Sequence, residues 1–118
     1  MAIRLVAALG CLPLLLGLGV LADPSKCEAS MHMLNTSVRE LVQQNCGSCH
    51  DGSLATANPA ALKVFDLREQ DWTAKMSDEQ VRKLLGRAKR MSAENQTLMA
   101  KFVKRVLTKR NSEAAAEP

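Results

Sequence analysis

The chain has 118 residues, of which 47% are hydrophobic and only 3% are aromatic, and its formal net charge is +4. This length allows one small domain, and domains of this size often need a disulfide, a metal or a bound group for stability. The small charge excess and the scarcity of aromatic side chains argue against a nucleic-acid-binding protein.

The first 22 residues have the pattern of a secretory signal. Arg4 is followed by a nearly unbroken apolar stretch over residues 5–21, and Ala22 ends a cleavage site of small residues. This pattern predicts a cleaved signal peptide over residues 1–22 and an exported, periplasmic protein. The alternative is an uncleaved membrane anchor, because the apolar stretch approaches the length of a membrane span.

Residues 23–35 show no strong periodicity, and we expect a flexible leader there. A helix is then predicted to begin at Thr36 or Ser37, either of which can act as its N-cap. Its apolar positions recur at helical intervals on one face, and they are Val38, Leu41, Val42, Cys46 and Cys49.

Residues 46–50 read Cys-Gly-Ser-Cys-His, which is the attachment signature of a c-type haem. Two thiols three residues apart can reach the two vinyl groups of one porphyrin, and the following imidazole can bind its iron. The motif predicts one covalently attached haem c, with thioethers from Cys46 and Cys49 and with His50 as the proximal iron ligand.

Cys27 is the third cysteine of the chain that would remain after cleavage. In an oxidising compartment, an odd cysteine indicates either a disulfide to a second chain or an exposed thiol. A dimer linked through Cys27 is therefore one alternative, and an exposed thiol is the other.

Two further helix starts follow the motif. Asn58 before Pro59 is typical of an N-cap followed by proline at the first helical position. Ser77 with Gln80 forms a capping box for the next helix. The connection between these two helices carries Trp72, one of the few aromatic residues.

A last helix is predicted from about Ala93 to Lys109, with a broad apolar band that includes Phe102. Residues 111–118 are rich in alanine and glutamate, and we expect a disordered tail there. Since no strand-like alternation appears, the fold class should be all-α, with the folded domain over residues 36–110.

A helix that ends in Cys-x-x-Cys-His, a proline-containing loop and a final apolar helix resemble a small class I cytochrome c. The resemblance implies an all-α domain of three to five helices around one haem, and a proline carbonyl, here that of Pro59, that accepts the second hydrogen bond of His50. Val38 and Val42 stand where the family often has a glycine and an aromatic residue, which predicts a wider crossing of the first and last helices.

In this family the distal iron ligand precedes the last helix, and Met91 lies there. Met76, which precedes the capping box, is the alternative, whereas Met99 falls within the apolar band of the last helix and is better explained by packing. His32 lies in the leader, so two histidine ligands are not expected. A methionine opposite His50 would favour the reduced iron, as in electron carriers.

Positive charge is concentrated near the C-terminus. Ten lysine or arginine residues and a single acid, Glu94, lie between Arg82 and Arg110. They form either a solvated helix face or a surface that attracts an acidic redox partner. Loose association with anionic lipid headgroups is a further alternative. Arg87, Arg90 or Trp72 could contact a haem propionate.

The expected function is that of a mono-haem electron carrier without a substrate of its own, and therefore not an enzyme. The alternative is a ligand-binding haem module, either a gas sensor or a subunit of a larger oxidoreductase. A haem-free thiol-disulfide protein that uses Cys46 and Cys49 is a third hypothesis, but no βαβ pattern supports it.

Overall fold

The computed structural model describes residues 23–117, in which four α-helices and no strand occur. The helices are α1 (Pro24–His50), α2 (Pro59–Val64), α3 (Asp78–Ala88) and α4 (Ala93–Ala116). The predicted all-α class is confirmed for these residues. None of the described helices has the length and apolarity to cross a membrane. The signal predicted over residues 1–22 lies outside the described residues.

The described residues divide into two compact units, residues 23–33 and residues 34–117. In the first unit, the described residues are helical from Pro24 onward and mostly exposed. The Asp23 carboxylate accepts hydrogen bonds from the Ser25 amide and hydroxyl, at 3.1 and 2.6 Å. Because Asp23 and Pro24 provide an acceptor and a first helical residue, α1 begins here and not at Thr36 or Ser37.

The structure thus differs from the predicted leader, since residues 24–35 belong to α1. Cys27, within this segment, takes part in a disulfide bond, which corrects the alternative of an exposed thiol. At the other end of the chain, α4 continues to Ala116 where a disordered tail was predicted. Alanine and glutamate are strong helix formers, and Lys109 pairs with Glu113 one turn later at 3.8 Å.

The second unit has one hydrophobic core, to which α1, α3, α4 and the connection before α3 contribute. Among the described helices, only α3 and α4 approach each other within 8 Å between Cα atoms. Helix α1 contributes Val38, Leu41 and Val42 to this core. The buried apolar residues are Val38, Leu41, Val42, Phe65, Leu67, Trp72, Met76, Val81, Leu84, Ala88, Met99, Phe102 and Val103.

The few aromatic residues of the chain form a row through this core. The Trp72 ring lies 5.3 Å from that of Phe65 and 5.4 Å from that of Phe102, to which it is nearly parallel. At the other end of the row, the His50 imidazole stacks on Phe65 with 3.7 Å between ring centroids. Ring pairs at these distances stabilise the packing beyond their buried area, and this row connects the end of α1 to α4.

Two arginines hold the connection between α2 and α3 in place. Arg39 of α1 donates to the carbonyl of Leu67, and also to those of Glu69 at 2.8 Å and Gln70 at 2.6 Å. A guanidinium group has five donors in a fixed planar arrangement, so one side chain satisfies three carbonyls within a four-residue segment without regular structure.

Arg110 of α4 has the same role at the other end of the connection. It donates to the carbonyls of Thr73 and Met76, at 2.7 and 2.9 Å, and to the Asp78 carboxylate at 2.8 Å. Its side chain is only 25% exposed. Arg110 therefore belongs to the packed structure, whereas the sequence pattern had grouped it with the basic residues of a solvated helix face or a partner-binding surface.

Candidate haem-attachment site

The Cys-x-x-Cys-His motif forms the last turn of α1. Cys46 is half-buried and packs against the core, whereas Cys49 is exposed, and both are thiols. The expectation that both cysteines extend the buried face is therefore correct only for Cys46. Three residues advance an α-helix by about 300°, so Cys49 is rotated by about 60° from Cys46 toward solvent.

Burial raises the pKa of the Cys46 thiol, and the nearby Arg87 guanidinium partly opposes this change because it favours the thiolate. Arg87 belongs to α3, so the positive charge that acts on the first cysteine of the motif comes from the end of that helix. The sequence alone gave no reason to bring these two residues together.

The imidazole of His50 is oriented by two contacts with the same residue. Its Nδ1 lies 3.1 Å from the carbonyl oxygen of Phe65, and its ring stacks on the Phe65 ring. A carbonyl oxygen can only accept, so Nδ1 carries the proton and donates it. In the neutral ring, Nε2 is then the nitrogen with a free electron pair, which is the state that an iron ligand requires.

The assignment of Pro59 as the hydrogen-bond partner of His50 is corrected by this contact. Pro59 begins α2 behind the N-cap Asn58, whose carboxamide accepts from the amides of Ala60 and Ala61. The carbonyl that meets His50 belongs to Phe65, the residue just beyond α2. The sequence predicted a backbone acceptor of the right kind, but its position depends on how the loop folds back.

The final carbonyls of α1 are also satisfied by this loop. The amide of Asn58 donates to the carbonyl of Cys49 at 3.0 Å, and the amide of Leu67 donates to that of His50 at 2.8 Å. Carbonyls at a helix C-terminus lack partners within the helix. The segment from Phe65 to Leu67 therefore supports His50 twice, through its backbone carbonyl and through its imidazole.

Asp66, between Phe65 and Leu67, is buried, and its carboxylate joins this segment to the loop that follows α1. Its carboxylate accepts from the Arg68 side chain at 2.7 Å, from the Arg68 amide at 3.0 Å and from the Gly52 amide at 3.3 Å. These bonds, those from Arg68 above all, hold the pKa of the Asp66 carboxyl well below its usual range. The sequence analysis did not single out Asp66, although an acid between two apolar residues, Phe65 and Leu67, was a visible signal.

A cavity of about 660 Å³ lies between α1 and the junction of α3 with α4. This volume is within the usual range of cofactor and ligand sites. Asn45, next to Cys46 in sequence, lines it from α1, and Arg87, near the Cys46 thiol, lines it from α3. The lining residues are Leu41, Gln44, Asn45, Gly86, Arg87, Arg90, Met91 and Asn95.

The structure separates the candidate methionine ligands clearly. Met91 lines the cavity and is partly exposed. Met76 is 5% exposed and Met99 is 1% exposed, and both are members of the hydrophobic core. Of the two methionines proposed from the sequence as the distal ligand, only Met91 lines this cavity.

The three residues considered as propionate contacts are also distinguished. Arg87 and Arg90 line the cavity. Trp72 is 1% exposed, and its indole N–H donates to the Asn35 side chain at 3.4 Å. Trp72 is therefore a core residue, and the positive charge at the cavity comes from α3 and the residues after it.

Comparison with known protein families, with curated proteins and with solved structures finds no match for this chain. Within residues 23–117, no group of three or more histidine, cysteine, aspartate or glutamate side chains is placed to hold a metal ion. The site is therefore described by its own residues: two thiols, one oriented imidazole and a cavity that contains Met91.

Proposed function

We propose that this protein is an exported mono-haem c-type cytochrome that carries single electrons between redox partners. The observation that carries the proposal is the turn of α1 that ends in Cys46, Cys49 and His50, together with the hydrogen bond from His50 Nδ1 to Phe65. This bond supports iron ligation by Nε2, because it leaves that nitrogen unprotonated.

The residues around the motif fit a covalently attached haem. Cys46 and Cys49 are thiols on one helical turn, and the cavity lined by Asn45, the residue before Cys46, has the volume of a cofactor site. When bound, a haem with histidine and methionine ligands would supply one-electron exchange between Fe(III) and Fe(II) at a raised potential. The protein residues would hold and orient the group and exclude other ligands from it.

Met91 is the proposed distal ligand. It lines the cavity and lies in the short connection between α3 and α4, whereas the alternative, Met76, is enclosed in the core. A thioether is a soft, neutral donor that suits reduced iron. With both axial positions filled, small molecules would have no open site, which supports a carrier and not an enzyme.

Arg87 and Arg90 are the proposed contacts for the haem propionates, because both line the cavity and arginine pairs well with carboxylates. The surrounding basic residues of α3 and α4 are mostly exposed. Such a surface would attract a redox partner with acidic residues near its own cofactor, mainly by accelerating encounter. Anionic lipid headgroups are a further proposal for a partner.

The test is an optical spectrum of the purified protein in both oxidation states, combined with acid-acetone extraction. The proposal predicts that haem stays with the chain, that the iron is low-spin, and that the oxidised form shows a thioether-to-iron charge-transfer band. The band should disappear in Met91→Ala and persist in Met76→Ala, which serves as the matched control.

Other outcomes would change the proposal in defined ways. A five-coordinate, high-spin spectrum with rapid carbon monoxide binding would favour the ligand-binding haem module. Complete extraction of the pigment from the chain would remove the covalent cytochrome and leave the dithiol hypothesis. Loss of the band in Met76→Ala alone would transfer the distal role to Met76.

A further inference from the structure

The connection that carries Met91 is only four residues long, from the end of α3 at Ala88 to the start of α4 at Ala93. It joins two helices that pack against each other, and its Met91 side chain lines the cavity. In so short a segment, the backbone orientation of Met91 largely decides where its thioether can reach.

Both backbone groups of Met91 have hydrogen-bond partners. Its amide donates to the Ala88 carbonyl at 2.9 Å, which ties it to the end of α3. Its carbonyl accepts from Nε2 of Gln96 at 2.9 Å, which ties it to the first turns of α4. The same Gln96 nitrogen lies 3.4 Å from the Lys89 carbonyl.

Gln96 is thus the only described side chain with a hydrogen bond to the Met91 backbone, and it joins two carbonyls of the connection to α4. Neighbouring polar residues act differently: the Ser92 hydroxyl caps α4 by accepting from the Asn95 amide, and Thr97 donates within α4 to the Ala93 carbonyl. An exposed glutamine would otherwise be an ordinary surface residue.

We propose that Gln96 is a positioning residue for the distal ligand: its carboxamide holds the Met91 backbone so that the thioether stays directed at the iron. This inference rests on the proposed function, in which Met91 is that ligand. Gln96 acts through the backbone of Met91 and does not contact the cofactor itself.

The experiment measures how easily added imidazole displaces Met91 from the oxidised holoprotein, followed by the thioether charge-transfer band. Gln96→Ala removes the donor, and Gln96→Glu keeps the shape but replaces the amide by a carboxylate that cannot donate when ionised. Thr97→Ala is the matched control, because it removes a hydrogen bond in the same turn of α4 without changing the Met91 connection.

We expect half-displacement at about three- to fivefold lower imidazole concentration in both Gln96 variants, the effect of one lost hydrogen bond of ordinary strength. Thr97→Ala should titrate like the wild type. Thermal unfolding measured by circular dichroism separates a general loss of stability from a change at the ligand. If only the ligand is affected, Gln96→Ala and Thr97→Ala have the same thermal stability but differ in the imidazole concentration that displaces Met91.

Equal imidazole titrations for the wild type and both Gln96 variants would overturn the positioning role while leaving Met91 as the ligand. The same conclusion would follow if Thr97→Ala shifted the titration as much as Gln96→Ala does. Failure of the proposed function looks different: the wild type would have no thioether band, or the band would survive in Met91→Ala.

Discussion

His50 and Met91, the two residues proposed to bind iron, are supported in different ways. His50 is held by a segment 15 to 17 positions further along the chain, through its imidazole, its backbone carbonyl and a ring contact. Met91 is held by residues no more than five positions away, Ala88 and Gln96. Phe65, which supports His50, is buried, whereas Gln96 is exposed.

This difference indicates which side of the site is the more easily changed. Disturbing the His50 side breaks the hydrophobic core, so ligation and global stability should fall together. Disturbing the Met91 side changes a short surface connection, so ligation should change while the fold persists. Local opening occurs most readily where few buried contacts resist it.

The largest expected effect is that of Phe65→Ala. Phe65 is 5% exposed and contacts both the His50 and Trp72 rings. Its truncation should lower the free energy of unfolding by about 3–5 kcal/mol, as for other buried phenylalanines. Denaturant unfolding of the holoprotein measures this, with Phe65→Leu as the control that retains most of the volume. A loss below about 1 kcal/mol would show that the core does not depend on the aromatic row.

Arg39→Ala should have the next largest effect. The guanidinium donates to three carbonyls of the connection that supports His50. Its removal should lower the free energy of unfolding by about 2 kcal/mol, since charged donors form the stronger hydrogen bonds. Arg39→Lys keeps the charge but not the planar set of donors, and it should recover only part of the stability. Full recovery by lysine would mean that charge alone matters here.

Met91→Ala should cost little stability despite its effect on the iron spectrum. The residue is only partly buried, so the loss in packing should stay below about 1.5 kcal/mol, well under that of Phe65→Ala. The same denaturant experiment measures it, with Met99→Ala, a fully buried methionine, as the contrast. If Met91→Ala lowered the free energy of unfolding as much as Met99→Ala, the Met91 side of the site would depend on the core as the His50 side does, which would contradict the comparison.

The smallest expected effect is on the pH dependence of the free energy of unfolding. Because the pKa of Asp66 is lowered in the folded protein, the unfolded chain takes up a proton there first, below about pH 4. The stabilisation by this carboxylate is therefore present above that pH and is lost as the pH falls toward the folded pKa. Asp66→Asn should reduce the acid dependence of unfolding between about pH 5 and pH 2.

Arg68→Ala is the matched variant for this prediction, because Arg68 supplies most of the bonds that lower the pKa of Asp66. It should also weaken the acid dependence while leaving the carboxylate in place. An unchanged pH profile in both variants would show that other carboxylates determine acid stability.

The sequence determined the features that depend on neighbours along the chain. The N-caps Asn58 and Ser77, with the glutamine of the capping box, lie where the pattern predicted them. The thiols and imidazole of the haem motif were visible for the same reason, since their spacing is set by one turn of helix. Such signals involve residues within a few positions and can be read without a fold.

Tertiary structure decided everything that joins distant segments. In the folded chain, the carbonyl that meets His50 is that of Phe65 and not that of Pro59. Met76 is buried in the core, whereas Met91 lines the cavity. Arg110 donates hydrogen bonds to the loop before α3. These outcomes depend on which carbonyls and side chains meet once the core has formed. Periodicity predicts the face of a helix but not its partners, because the partners are set by packing across the chain.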